Sequence, residues 1–395
     1  MVRTETESGG WAIEMSDLQA RAERLAHWLY QDALPLWADV GVDRARGGFF
    51  ECLTLDGRPA EDLDKRMRVQ ARQVYVYSHA AVLGWDGPAY EAARAGVRFL
   101  TEHYWHGEGG WIFSATPDGR AAAPRREAYE QAFALLAFAW YHRAFGADDA
   151  MAWVARTMAF LDERLADAVH GGYREALPDQ LPRRQNPHMH LLEAFLSLYE
   201  ATEDGAWLER ARLLVGLFQD HFFDAETGTL REFFTESWTP APGIDGRRLE
   251  PGHHFEWVWL LQRYQDLSGD DNVTEPARAL YRFAEAQGTD SSDGLAYDEV
   301  LSGDGASRDS KRLWPQTEAL KAQLVAFERW NDGRALDRAG RAIDAMFARY
   351  LHLAPGLWQD QIGADGRGLA ALVPASTFYH LFLAFSEYLR VAASR

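Results

Sequence analysis

A closed ring of six helical hairpins, an all-α (α/α)6 barrel, is the architecture expected of this 395-residue chain, with inner and outer rings of six helices and short strands in the rim loops. Three observations lead to it. A glycine that opens a short apolar run ending in polar residues recurs at Gly48, Gly110, Gly172, Gly228, Gly294 and Gly356, a period of about 60 residues that divides the chain into six units. Between successive glycines lie two segments with apolar residues at i, i+3, i+4 and i+7, the pattern of a helix with one buried face. The even-numbered segments are the more apolar all round, and a helix without a polar face is a buried one. Six buried helices inside six amphipathic ones close into a toroid. An open superhelix, the alternative, needs polar capping repeats at its ends.

The first helix is expected over 17–38, behind Asp17 as its cap. The next four fall at 66–83, 88–104, 125–145 and 148–166, and the fourth of the series contains the unbroken apolar run from Ala132 to Trp140. The sixth, 187–203, begins where Asn186 precedes Pro187, because proline is tolerated in a first turn. After 205–222, the eighth helix at 251–267 opens in the same way behind Glu250 and runs through Phe255-Glu256-Trp257-Val258-Trp259-Leu260-Leu261. Helices at 273–287, 313–330, 334–351 and 374–392 complete the set. Residues 1–395 read as one barrel domain in which 1–16 form a flexible N-terminal extension.

Composition removes several function classes. An excess of 59 Asp and Glu over 41 Lys and Arg gives a net charge of −18, a field that repels phosphate polymers and anionic lipid and argues against nucleic-acid and membrane partners. At 47% apolar the chain is too hydrophobic for intrinsic disorder. Cys52 is the single cysteine, so no internal disulfide forms and a reducing, cytoplasmic setting is expected. Residues 1–16 lack the continuous apolar run of a secretion signal. No glycine-rich nucleotide loop and no Gly-x-Ser-x-Gly elbow occurs, so neither a nucleotide cofactor nor acyl transfer is indicated.

Polar groups in apolar helices are costly unless paired or used, and here they gather near the starts of the even helices. Helix two carries Arg68, Arg72, Tyr75 and His79 on one face, and helix six carries Asn186, His190 and Glu193 on one face. Helix eight opens with His253 and Glu256, helix ten with Trp314 and Glu318, and helix twelve with His380. A pocket at the glycine rim would collect them. His79, taken alone, reads as a satisfied core histidine, and Arg72 has a structural alternative as a carboxylate partner. Three independent helices delivering His190, His253 and His380 to equivalent depth point to chemistry. His253 and Glu256, at i and i+3, could ligate a metal, but no HExxH motif or cysteine cluster accompanies them, and no metal is expected. The fifteen tryptophans serve equally well as core filler or as platforms for sugar rings.

The stretches Gln70-Ala71-Arg72-Gln73-Val74-Tyr75, Asn186-Pro187-His188-Met189-His190-Leu191-Leu192-Glu193-Ala194, Pro251-Gly252-His253-His254-Phe255-Glu256-Trp257, Trp314-Pro315-Gln316-Thr317-Glu318-Ala319 and Phe378-Tyr379-His380 together resemble the N-acylglucosamine 2-epimerase superfamily of sugar epimerases and aldose–ketose isomerases. The helix-ten stretch, with Leu313 ahead of Trp314, is most similar to the mannose isomerase branch. The resemblance implies an (α/α)6 barrel and His253 and His380 as the acid/base pair. Arg72, His190, Glu256 and Glu318, with Tyr75, Asn186 and Trp314, would bind the sugar, with no cofactor.

On that reading a free monosaccharide, D-mannose giving D-fructose, is converted through an enediol. Histidine suits the task because its ordinary pKa of ~6.5 lets it take and give protons near neutrality. His380 is expected to move the proton between C2 and C1, His253 to open the ring, Glu256 to orient His253, and Arg72 to steady the enediolate. The rivals are a sugar 2-epimerase, an inverting glycoside hydrolase with Glu256 and Glu318 as its carboxylates, and a binding protein without turnover. Monomer and homodimer are both compatible with the sequence.

Overall fold

The computed structural model describes residues 15–395, so the extension expected at 1–16 lies outside them except for Met15 and Ser16, which open the first helix. That helix, α1 (Met15–His27), continues through a π-helical turn (Trp28–Ala33) into α2 (Leu34–Asp39). There follow α3 (Met67–Val82), α4 (Ala89–His103), α5 (Ala128–Phe145), α6 (Asp148–Phe160), α7 (Asn186–Thr202), α8 (Gly205–Leu217), α9 (Pro251–Ser268), α10 (Thr274–Ala286), α11 (Leu313–Trp330), α12 (Gly333–Arg349) and α13 (Phe378–Ala393). From α3 onward the odd-numbered helices are inner and the even-numbered ones outer, with α1 and α2 together forming the first outer helix.

Burial separates the two rings as the apolar pattern requires. Every residue of α5 from Ala128 to Tyr141 is buried, whereas α12 buries only a stripe that includes Ala335, Leu336, Ala339, Ile343 and Met346. Each inner helix packs on the next, and α13 returns to α3.

The ring also closes through the backbone at one rim. Met67 N–H donates to the Phe113 carbonyl, Ala128 to Glu175, Gln185 to Glu232 and Leu313 to Asp360, and Ala375 then reaches back to Glu51 in the first unit. Beside that last bond, Cys52–Thr54 pairs antiparallel with Leu372–Pro374. An open superhelix has no such return, and the chain is an (α/α)6 barrel.

The recurrent glycines sit in the rim turns after the outer helices, all with φ between 67° and 85°, a region that only glycine adopts without strain. At Gly172 a Cβ would also come within 2.7 Å of Leu217 and 2.9 Å of the His188 ring. The inner helices hold these turns in a way not expected from the sequence. Gln131 Oε1 accepts from Trp111 N–H at 2.8 Å and its Nε2 donates to the Trp111 carbonyl at 3.0 Å. Gln70 does the same at Phe49, and Gln316 at Ala296. In the units between, His188 and His254 take the position and accept from Tyr173 and Leu230 N–H. Helices α5 and α13 begin three or four residues later than expected because Arg126–Glu127 and Leu372–Pro374 are rim strands. Asp17 lies within the first turn of α1 rather than ahead of it. No helix among the described residues is long and apolar enough to cross a membrane.

Candidate active site

All six inner helices begin at the glycine rim, so their positive dipole ends converge there. Between them lies a cavity of about 360 Å³ lined by Arg72, Tyr129, Asn186, His190, His253, Glu256, Trp314 and His380, with Arg66, Arg68, Glu250, Arg312 and Asp360 also on its wall. The volume suits a small polar ligand.

His380, the third residue of α13, is 6% exposed. Its Nδ1 lies 2.8 Å from Glu318 Oε1 on α11. Glu318 Oε2 faces Lys321 Nζ at 2.6 Å. A carboxylate at Nδ1 fixes the hydrogen there and leaves Nε2 as the free lone pair. Burial, with Arg72 and Lys321 nearby, holds the His380 pKa well below the ordinary imidazole range, so the ring is a neutral base.

His253, the third residue of α9, is treated oppositely. Its Nδ1 lies 3.0 Å from Glu232 Oε2 and 3.8 Å from Glu250 Oε2. Burial alone would lower its pKa, but Glu232 and Glu250 outweigh it and raise the value to about 9. The ring is therefore an imidazolium at neutrality. The amide atom of Asn186 that stands 3.1 Å from Nε2 is Nδ2. A protonated Nε2 donates, so it calls for the amide oxygen, and Asn186 Oδ1 is a buried atom with no hydrogen-bond partner among the described residues.

Trp314 lies between the two histidines, its ring 5.1 Å from that of His253 and 5.6 Å from that of His380. Gly252 makes the approach possible, since a Cβ there would be 2.4 Å from the indole. Arg72 donates to Tyr129 Oη at 2.9 Å and to the Ser376 carbonyl at 3.3 Å, with its guanidinium 4.3 Å from the Phe133 ring centre. Its Nε is buried and unpartnered among the described residues. His190 Nδ1 is 3.1 Å from Glu193 Oε2, and burial lowers its pKa to about 4 despite that carboxylate. Burial and the neighbouring Glu318 push the Glu256 carboxyl well above the usual range.

Several expected roles are redistributed. Tyr75 does not reach the cavity: its hydroxyl bonds His79 Nδ1 at 3.0 Å, and its ring packs edge-on against Tyr379. Glu318 stands behind His380 instead of on the cavity wall. Glu256 does not orient His253; Glu232 holds that Nδ1, while Glu256 lies 4.0 Å from His190 Nδ1. Glu232, Lys321 and Tyr129 are the neighbours that sequence reasoning missed. For Glu232 the signal was in the repeat, since Glu51, Glu175, Glu232, Asp298 and Asp360 each follow a repeat glycine by three or four positions.

The geometry bears on two rivals. Donor atoms of Glu256, Glu318 and His380 lie within 4.8 Å of one another, too close for the ~6.5–9.5 Å carboxylate spacing of an inverting hydrolase. Within that cluster Glu318 and His380 are hydrogen-bonded to each other, and a divalent ion there would confront Lys321. His253 and Glu256, the metal pair considered from the sequence, fall in different clusters.

The sequence profile of the N-acylglucosamine 2-epimerase (GlcNAc 2-epimerase) family matches residues 48–384. The chain is 39% identical over 380 residues to a mannose-6-phosphate isomerase of Rhizobium meliloti, covering 94% of this chain and 97% of that protein. It is 29% identical over 339 residues to a D-mannose isomerase of Thermobifida fusca, covering 79% and 81%. The solved cellobiose 2-epimerase of Spirochaeta thermophila superposes with a TM-score of 0.87 at 28% identity, over 98% of this chain and 99% of that one. With the barrel, the profile match and these relatives in agreement, the chain belongs to the N-acylglucosamine 2-epimerase family of sugar isomerases and epimerases.

Proposed function

We propose that this protein is an aldose–ketose isomerase that interconverts D-mannose and D-fructose, with His380 as the base and His253 as the acid. The observation that carries the reading is the opposite protonation bias of the two rings, His380 lowered and His253 raised. His253 Nε2–H protonates the ring oxygen as the pyranose opens, and the bared Nε2 takes the proton leaving the O1 hydroxyl, which restores the imidazolium. His380 Nε2 then takes the C2 proton, the C2–H electrons form the enediol double bond, and O1 receives its proton from His253 Nε2–H. Return of the proton from His380 to C1, with the O2 proton passing to His253 Nε2, gives the ketose and restores both rings. Arg72 and the converging helix N-termini favour the negative charge that develops on the oxygens. A two-base epimerase working reversibly needs each histidine to serve in turn as base and acid, and half of that cycle demands the protonation states that both environments oppose. The names of the Rhizobium and Thermobifida relatives support isomerisation as well.

A second reading, a hexose 6-phosphate, is favoured by the printed name of the Rhizobium relative and by Arg66 and Arg312, whose side chains are 36% and 37% exposed at the cavity. Those arginines are already engaged, Arg66 by Glu51 and Arg312 by Asp298, and Arg68 is held by Glu130. That pairing supports the free sugar.

Free, 6-phosphorylated and N-acetylated hexoses incubated in deuterated water and followed by NMR decide among these. The expected product is fructose from mannose, with part of the C2 hydrogen retained at C1. C2 inversion with no ketose would sink the isomerase reading. A kcat/KM for mannose 6-phosphate at or above that for mannose would replace the free sugar by the ester.

A further inference from the structure

The chain has three lysines, and two of them do the same job: Lys65 is tied to Asp43 and Lys311 to Asp290, each at the rim turn of its unit. Lys321 has no such counterpart. It lies on α11, one turn beyond Glu318, is 1% exposed, and places Nζ 2.6 Å from Glu318 Oε2 and 4.4 Å from the Trp259 ring centre. A buried ammonium is expensive, and an apolar side chain of similar length would fill the space at lower cost.

We propose that Lys321 is a positioning residue for the proton transfer, acting through Glu318 to hold the His380 ring in one tautomer with Nε2 bare toward the cavity. Glu318 divides its two oxygens, Oε1 to His380 Nδ1 and Oε2 to Lys321. Were this carboxyl protonated, its O–H could donate to Nδ1. The imidazole would then carry its hydrogen on Nε2 and offer the sugar no lone pair. Burial favours that protonated form and raises the Glu318 pKa, and Lys321 opposes it. Burial would in turn strip Lys321, but Glu318, Glu256 and Glu193 hold its pKa above the ordinary value.

The groups facing His380 come from four helices: Arg72 on α3, His190 and Glu193 on α7, His253 and Glu256 on α9, and Glu318 and Lys321 on α11. Arg72, Lys321 and His190 disfavour the imidazolium, and Glu193 favours it. Of these only Lys321 touches the carboxylate that holds Nδ1 while standing off the cavity wall.

The inference rests on the isomerase reading only for the meaning of kcat, because the tautomer is measurable without turnover. The test compares the full-length wild type with Lys321→Met and with Lys321→Met/Glu318→Gln, using mannose kinetics across pH and 15N NMR of the histidine rings. In Lys321→Met, kcat should fall at least ~10-fold with KM within about twofold. The His380 signal should leave the Nδ1–H form for the Nε2–H or the protonated form. In the double variant the amide oxygen can accept from Nδ1–H and no charge is left unpaired. The Nδ1–H signal should return and kcat should recover at least ~3-fold over the single variant. Wild-type kcat and His380 resonances in Lys321→Met overturn the proposal. If that variant fails to fold, an Nε2–H signal in the folded double variant overturns it equally. Absence of turnover in the wild type would instead fail the isomerase reading and leave the ring measurement standing.

Discussion

Glu232, between the rim strands Thr229–Leu230 and Phe233–Phe234, accepts the Nδ1 hydrogen of His253 at 3.0 Å while also accepting from Gln185 Nε2 at 2.9 Å. The second bond fixes the carboxylate so that its charge stays on the imidazole. Against the lowering effect of burial, Glu232 is the largest influence that raises the His253 pKa, ahead of Glu250.

A pH dependence follows. The folded pKa of His253, about 9, lies above the ordinary imidazole value of 6.5, so the stabilisation is fully present below about pH 6.5 and is lost as pH rises through about 9. Its upper bound is on the order of 3 kcal/mol. Activity should fall on the alkaline side near the same value. On the acid side it should fall only well below 6.5, where His380 at last protonates. Glu232→Gln should move the alkaline limb down by at least about one unit and lower kcat/KM at pH 8.5 by ~10-fold. A pH–rate profile of the two proteins checks it, and an unmoved alkaline limb would remove Glu232 from the role.

Activity should survive exhaustive chelation. The proposed acid, base and anion-stabilising groups are two imidazoles and an arginine, and Lys321 Nζ, 2.6 Å from Glu318 Oε2, sets a positive charge against any ion bound to Glu256, Glu318 and His380. Loss of turnover in EDTA that a divalent cation restores would recast Glu256, Glu318 and His380 as ligands.

The turn clamps should matter for stability and little for chemistry. Gln131→Ala strips both backbone partners from buried Trp111, at a cost of about 2–4 kcal/mol for the groups left unpaired. Gly172→Ala adds a strained φ of 67° to a clash with Leu217 and His188. Denaturant unfolding should show both losses, with kcat/KM within about twofold of wild type.

How much of this was legible in the sequence differs by level. The six units and the alternation of inner and outer helices followed from the glycine period and from apolar runs such as Ala132 to Trp140, because burial writes directly into composition. The π-helical turns at Leu161–Leu165 and Phe218–Phe222 did not, since they are adjustments of outer helices to the rim and leave no residue signature. His253 and His254 are adjacent in sequence, yet the helical twist sends one into the cavity and the other back to the Leu230 turn, where burial lowers its pKa to about 4. Tyr75 shared a helical face with Arg72 but sits one turn deeper, below the cavity floor. Glu232 escaped notice because it lies 21 residues ahead of His253, in the rim loop of the same unit, where no helical spacing pairs them, and only an overlay of the six repeats would have singled it out.

The division of labour between the histidines is the sharpest expectation. His380 is the neutral ring whose Nε2 faces the cavity, so His380→Ala should nearly abolish both isomerisation and hydrogen exchange at C2, a loss of ~10² to 10⁴-fold with the fold intact. His253→Ala should impair ring opening instead, and an open-chain or rapidly opening substrate should recover part of its rate. His190, its pKa lowered to about 4 and its Nδ1 committed to Glu193, is placed against the Phe133 and Tyr129 rings and should not replace either. Arg72→Lys keeps the charge but loses the planar fork that spans Tyr129 and Ser376, so kcat should drop more than KM rises. C2 exchange at near wild-type rate in His380→Ala, together with its loss in His253→Ala, would reverse the two roles. Full activity in both variants would end the proposal that this cavity works by histidine acid/base chemistry.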